Sequence, residues 1–186
     1  MKNSVMVALA TLLGWSTLAR ADRPEEAVPL IRFYDSDRHQ HLYTTIEPEI
    51  AGWRQASQVK EHGSLGYVSL KELPGTIRIW RAIRTKDRRH FYYAHASGKL
   101  VDVLVDNKHF AVYAWKNPGD GRVPVYGSTW TDGGDVFFDL KRDAVRKFSE
   151  NSKKALGVDR KLLGNGPIFY VYPMAEGDES AIPSNK

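Results

Sequence analysis

The sequence predicts a mostly β domain assembled from three copies of one unit, and three observations predict it. Short segments rich in β-branched and aromatic residues recur along the 186-residue chain, each bounded by turn formers. They recur in a fixed order at a nearly fixed spacing. The chain has no cysteine, so packing alone must hold it, without disulfides or thiolate metal sites.

The chain opens on a short charged start, Met1-Lys2-Asn3-Ser4, followed by an uncharged run from Val5 to Leu18 and the small-residue exit Ala19-Arg20-Ala21. That order reads as a signal peptide over residues 1–21, cleaved near Ala21, with an uncleaved anchor as the alternative. The mature protein is expected to be secreted or periplasmic, since the apolar run is short for a bilayer span and no stop-transfer pattern follows. Loss of Lys2 and Arg20 leaves 25 bases against 22 acids, a net charge of +3 where the full chain has +5. Hydrophobic residues at 42% and charged residues at 26% fit a globular domain rather than a disordered one. A mean hydropathy of -0.45 excludes a polytopic membrane protein. The bases are interspersed with acids, as in Lys86-Asp87-Arg88-Arg89, so no nucleic-acid partner is expected. Anionic envelope polymers or lipid headgroups suit the charge better, and an ordinary solvated surface explains it too.

The first block is Val28-Pro29-Leu30-Ile31-Arg32-Phe33-Tyr34, matched by Ile77-Arg78-Ile79-Trp80-Arg81-Ala82-Ile83 and by Val123-Pro124-Val125-Tyr126-Gly127-Ser128-Thr129, at offsets of 49 and 46 residues. The second block is His41-Leu42-Tyr43-Thr44, then His90-Phe91-Tyr92-Tyr93, then Asp135-Val136-Phe137-Phe138. Gly66-Tyr67-Val68-Ser69, Val112-Tyr113-Ala114-Trp115 and a displaced Ile168-Phe169-Tyr170-Val171-Tyr172 form the third. Blocks one and two read as a hairpin across turns such as Asp35-Ser36-Asp37. After block two of the first unit, Thr45-Ile46-Glu47-Pro48-Glu49-Ile50 offers a Thr cap, an early proline and first-turn acids, which predicts a short helix. In the third unit the same place holds Leu140 to Leu156, where Leu140, Ala144, Val145 and Phe148 share one face: an inserted amphipathic helix. The units run over about 28–76, 77–122 and 123–173 within a single domain of residues 22–173, and residues 174–186 read as a flexible tail.

Units of this size cannot bury an apolar face alone, so three of them must share a core. Closing them around a pseudo-threefold axis gives a barrel resembling a β-trefoil, with short helices between strands and the longer helix inserted in repeat three. An open three-unit array or a small propeller-like sheet is the alternative.

The recurring R-x-Y, H-[LF]-Y-[TY] and G-Y-V blocks resemble a secreted bacterial repeat family catalogued as a domain of unknown function, whose units read like Y-R-F-Y, H-F-Y-T-T, G-W and G-x-A-Y-V. Unit one is nearest to that pattern, with Ile31-Arg32-Phe33-Tyr34, His41-Leu42-Tyr43-Thr44-Thr45 and Gly52-Trp53. Unit two has Tyr93-Ala94 in place of the Thr pair. Unit three has Asp135 for the His and Gly127 for Arg32 and Arg81. Related units accompany cell-wall hydrolases and other secreted enzymes, so the resemblance implies an accessory, glycan-binding role.

His41 and His90, each beside an aromatic at Tyr43 or Tyr92, combine the stacking face and planar polar group that sugar recognition needs. The same pair reads more readily as structural, each His bonding a neighbouring hairpin backbone, because the position belongs to the repeat unit itself. Trp53, Trp115 and Trp130 are candidates for exposed stacking, while Phe33, Trp80 and Tyr126 read as core. Asp35, Asp37, His39 and His41 alternate as metal ligands would on a strand, but Asp-Ser-Asp more often makes a turn. Asp132-Gly133-Gly134-Asp135 reads as a hairpin turn before it reads as a calcium cradle. His62-Gly63-Ser64-Leu65-Gly66 lacks the first glycine of a nucleophile elbow, and Glu47 with Glu49 reads as ordinary acids at a helix start. No catalytic residue, metal or cofactor is therefore assigned.

The expectation is a secreted, non-enzymatic, monomeric binding module for glycans or a cell-envelope polymer, using His41, Tyr43, His90, Tyr92 and Trp130. The alternative is a protein-interaction module, such as an inhibitor, adhesin accessory or toxin partner, docking through the insertion Leu140 to Leu163. A small hydrolase ranks third.

Overall fold

The computed structural model describes residues 23–94, 110–119, 121–131, 135–175 and 178, with the backbone of 103–105. The expected signal peptide, the Asp132-Gly133-Gly134 turn and most of the expected tail lie outside these residues. In chain order the elements are β1 (Ala27–Asp35), β2 (Gln40–Thr44), α1 (Glu47–Gln55), β3 (Val59–Ser69), β4 (Thr76–Arg84), β5 (His90–Tyr93) and β6 (Val103–Val105). There follow β7 (Val112–Trp115), β8 (Val123–Trp130), β9 (Val136–Asp139), α2 (Arg142–Leu156), β10 (Arg160–Leu162) and β11 (Phe169–Val171). The fold is mostly β, and the pairing of described strands is antiparallel throughout. Among the described residues no helix is long and apolar enough to cross a membrane.

Three hairpins carry the first and second sequence blocks. β1 pairs β2, β4 pairs β5 and β8 pairs β9. The third block supplies β3's end, β7 and β11, which pair with the first strand of their own hairpin and also with one another. Tyr67 and Tyr172 add an isolated bridge between the ends of β3 and β11. The main core lies where these strands meet, around Leu30, Val68, Ile79, Val112, Val125 and Phe169. β-branched and aromatic residues dominate it, as expected for strands half buried on a pleated surface.

The expected closed barrel is not what forms. The strand path runs β10-β8-β11-β7-β3-β1-β2 and is open at both ends. The physical reason is that side chains, rather than strand pairing, satisfy the outer backbone of the hairpins. The Tyr43 amide donates to the Tyr92 hydroxyl at 2.9 Å, and that hydroxyl donates back to the Tyr43 carbonyl at 3.0 Å. The Phe138 amide donates to the Tyr43 hydroxyl at 2.8 Å, and the His41 amide to Asp135 Oδ1 at 2.7 Å. The His90 amide donates to Gln40 Oε1 at 2.9 Å. An edge strand is a hazard only while its polar groups are unpaired. Here β2, buried along its whole length, is capped by its neighbours' side chains.

The ladders also revise one equivalence. Asp35 faces Gln40, Arg84 bonds Arg89 and Trp130 bonds Asp135, so Gln40, Arg89 and Asp135 hold matching places at the start of the second strand. The residue corresponding to His41 and His90 is therefore Val136, not Asp135, because the loop of the third hairpin is one residue longer than the block alignment implies and matches the other two in length.

α1 begins after Ile46 with no side-chain cap, so the expected Thr cap does not form, and Thr44 braces the helix start instead. The Ile46 amide donates to Thr44 Oγ1, whose hydroxyl donates to Glu49 at 2.6 Å. α2 buries Val145 and Ser152 and stops at Gly157, whose φ of 66° is the left-handed conformation a glycine cap supplies.

Candidate functional site

Four of the five residues expected to bind ligand are core residues. His41, Tyr43, Tyr92 and Trp130 are 2%, 1%, 2% and 5% exposed, which closes them to a stacking sugar. His41 lies under α2, with the Phe148 ring edge-on at 5.1 Å and Phe137 at 4.8 Å. Tyr43 and Tyr92 pack edge to face while their hydroxyls make the backbone bonds described above. Trp130 sits beneath the Arg89 guanidinium, 4.5 Å from its ring centre. Of the other tryptophans, Trp115 is buried and Trp53 is half-buried. Phe33 is core as expected, whereas Trp80 and Tyr126 are only half-buried.

The other polar candidates also have structural partners. Asp35 Oδ1 accepts the amides of Asp37 and Arg38, and its Oδ2 accepts Arg38 at 2.8 Å: the aspartate turn that the sequence suggests. Among the described residues no group of three or more His, Cys, Asp or Glu is placed to hold a metal. Ser64 donates to the carbonyls of Leu30 and Gly66. Glu49 is not an exposed helix acid, because Arg81 grips it bidentately at 2.7 and 2.8 Å.

His90 is the exception. It lies on the wall of a cleft of about 210 Å³ between the β1–β2 and β4–β5 turns. Gln40 and Leu42 of β2 and Ile83 of β4 line it with His90, while Trp53 from α1 and Gln58 with Val59 from the entry to β3 form the opposite side. Arg38 and Arg88, one from each turn, also line it and are exposed. His39 and Arg88 have φ of 50° and 61°, a conformation that non-glycine residues seldom hold, and they sit at corresponding points of the two turns.

Comparison of two junctions explains why a cleft exists here. At the β2–β9 junction, Asp135 caps the His41 amide, Phe148 stands edge-on to the His41 ring, and Arg160 of β10 reaches Asp135 at 2.9 Å. At the β2–β5 junction Gln40 caps the His90 amide in the same way, and Trp53 stands edge-on to His90 with ring centres 6.1 Å apart. Arg160 pairs with Trp130 on the ladder as Val59 pairs with Asp35. Where one junction is filled by a carboxylate and a guanidinium, the other has a neutral amide and a short aliphatic side chain. The volume left over is the cleft.

Burial, together with the nearby Arg81 charge, pushes the His90 ring down to about 4; Glu49 opposes the shift, while Arg38 and Arg88 add to it. His90 is therefore neutral at neutral pH, and its buried Nδ1 has no hydrogen-bond partner. Asp35 is nearly inaccessible and already bonded, so it presents no free carboxylate to the cleft. The Arg84 and Arg89 guanidiniums share Asp87, whereas the Arg88 side chain has no ion-pair partner among the described residues. The lining thus offers a tryptophan face, the Gln58 amide, a neutral imidazole and two guanidiniums, while the buried Gln40 amide is spent on the His90 amide and Asp35. This set can bind and orient a polar ligand, and it contains no nucleophile–base pair.

Sequence reasoning found His90 and named Trp53 as a stacking candidate, but it missed Arg38, Gln40, Gln58 and Arg88. The signal for the arginines was their place in two matching turns, Ser36-Asp37-Arg38-His39 and Thr85-Lys86-Asp87-Arg88. The sequence model of the family described as Domain of unknown function (DUF5648) matches residues 4–107 and 29–144, each more than half of the chain, so the chain belongs to that family. No curated protein and no solved structure matches it.

Proposed function

We propose, from that membership and from the cleft, that this protein is an exported, non-enzymatic binding module for glycans or another cell-envelope polymer. One observation carries the reading: half-buried Trp53 stands beside the neutral imidazole of His90 in a cleft that also presents Gln58. An aromatic face for C–H stacking with planar polar groups for hydroxyls is what sugar binding requires. The ligand residues are then Trp53, His90 and Gln58, with Gln40, Tyr43, Tyr92, His41 and Trp130 as the frame behind them. The same reading keeps three repeats over about residues 28–76, 77–122 and 123–173, supported by the matched ladder places of the three hairpins. Export through the segment ending at Ala21 supplies the compartment.

The test is a glycan and peptidoglycan array probed with wild-type protein and with Trp53→Ala. Binding lost in a variant with an unchanged circular dichroism spectrum supports the reading. A well-folded wild type that binds nothing refutes it.

A second reading has its own observation. Leu156 of α2 and Leu162 of β10, both in the segment inserted in unit three, are 40% and 39% exposed. That surface suits a protein partner, as expected of an interaction module. Crosslinking that Leu156→Asp abolishes and Trp53→Ala does not would favour it.

A further inference from the structure

We infer that the ligand of the cleft carries a carboxylate received by Arg88 and Arg38, so that the site takes an acidic sugar, a uronic acid or a carboxyl-bearing amino sugar. The inference deepens the glycan reading and rests on it.

The charge arrangement is the first support. Asp87 holds Arg84 and Arg89, Glu49 holds Arg81, Glu61 holds Arg54 at 2.7 Å and Asp135 holds Arg160. Arg88 lines the cleft without such a partner among the described residues. Arg38 is bonded to Asp35, yet its side chain remains 48% exposed, which leaves guanidinium donors for a second acceptor. Asp35 itself is spent on the two turn amides and on Arg38, so it opposes an incoming anion little.

Comparison of the two junctions is the second support. At the filled junction a buried carboxylate, Asp135, occupies the ladder place that neutral Gln40 holds here. The fold therefore accommodates an anion beside a hairpin histidine, and in the cleft none is supplied from within.

Size and shape are the third. A volume of about 210 Å³ lies below the roughly 300–1,000 Å³ typical of drug-sized ligands, so it admits one sugar ring of a chain. Trp53 provides the stacking face, and Gln58 offers an amide to a ring hydroxyl. The turn of Arg88 is held in the left-handed region although its residue is not glycine, a local cost of the kind that accumulates at ligand sites.

The experiment compares galacturonate, glucuronate, sialylated and muramoyl oligosaccharides with the methyl ester of each, by titration calorimetry on the full protein. Arg88→Gly is the informative variant, because glycine suits φ 61° and the change removes the guanidinium without threatening the fold. A charge-assisted pair lost on esterification or in Arg88→Gly weakens binding about 10- to 100-fold. At least one acid is expected to bind that much more tightly than its ester, and Arg88→Gly to erase the difference with no fall in Tm. Esters bound as tightly as acids, an indifferent Arg88→Gly, or binding of neutral glycans alone overturns the inference and leaves the glycan reading standing. Absence of binding to every neutral and acidic glycan overturns both.

Discussion

Replacing Asp135 by Asn is expected to destabilise the protein severely without touching the cleft. The Asp135 and Arg160 side chains are each 1% exposed and that of His41 is 2%. Asp135 accepts the His41 amide at 2.7 Å and Arg160 at 2.9 Å, and its Oδ2 lies 3.0 Å from His41 Nδ1. The substitution leaves the size of the side chain intact but strands the Arg160 charge in the interior, and it turns an amide NH2 toward at least one donor. Removing one member of a buried ion pair costs about 3–5 kcal/mol. In a domain of this length each kcal/mol shifts Tm by about 2–4 °C, so the expected fall is roughly 6–20 °C.

Urea unfolding followed by circular dichroism at pH 7 reads the cost directly. Asp135→Leu combined with Arg160→Met removes both charges, so the pair of changes should cost far less than the sum of the singles. The acid limb provides an independent check. Burial pushes the Asp135 carboxyl up, but the hydrogen bond from His41 and the nearby His41 and Arg160 groups outweigh it and hold the carboxyl below 3.8. Its contribution is therefore fully present above the unfolded value and is lost as pH falls through the lower folded one. Wild type should lose this stability in acid, and Asp135→Asn should have none of it to lose. A single substitution costing under about 1 kcal/mol, or strictly additive singles, would refute the reasoning.

Three further outcomes are expected. Tyr43→Phe strands the buried Phe138 amide that donates to its hydroxyl, costing about 1–3 kcal/mol in urea unfolding while leaving ligand binding unchanged. Gly66→Ala is strained at φ 134° and sets a Cβ 2.7 Å from the Tyr172 carbonyl oxygen, so its urea midpoint should drop by the equivalent of about 2 kcal/mol or more. His90 should titrate near 4 by NMR; since the unfolded ring titrates at 6.5, its burial lowers stability progressively as pH falls from 6.5 to 4, and an unshifted resonance would contradict the buried, arginine-flanked placement.

Local pattern made the hairpins and α2 legible. The H-x-Y blocks fall in β2 and β5, and the shared face of Ala144, Val145 and Phe148 marks the helix that forms at Arg142–Leu156. What the sequence could not show was which face of each hairpin meets another. His41 is closed off by Asp135 and Phe148, and Tyr43 by Tyr92 and Phe138, partners between 49 and 107 residues away. An aromatic in a strand looks the same in sequence whether it faces solvent or another hairpin. The open sheet was hidden for a related reason. Closure is favoured in part because it removes strand edges, and here side-chain hydroxyls and carboxylates satisfy those edges instead.

That substitution of side chains for ladder bonds makes the cleft a matter of two residues, and it can be tested by closing it. Gln40 corresponds to Asp135 and Val59 to Arg160, so Gln40→Asp with Val59→Arg would place at the β2–β5 junction the pair that fills the β2–β9 junction. The aspartate keeps an acceptor near the His90 amide but loses the Gln40 bond to Asp35, and the arginine supplies the charge that the two neighbouring carboxylates need for the double variant to remain folded. Either change alone introduces one uncompensated charge and should cost more than the pair together, as expected of neighbours that couple. The filled cleft should no longer take ligand, by loss of volume and by an internal carboxylate competing for Arg38 and Arg88. A double variant that folds as well as wild type and binds as tightly would mean that the ligand enters elsewhere. Ligand loss confined to the double variant and to Trp53→Ala and Arg88→Gly would place recognition in the gap that Gln40 and Val59 leave open.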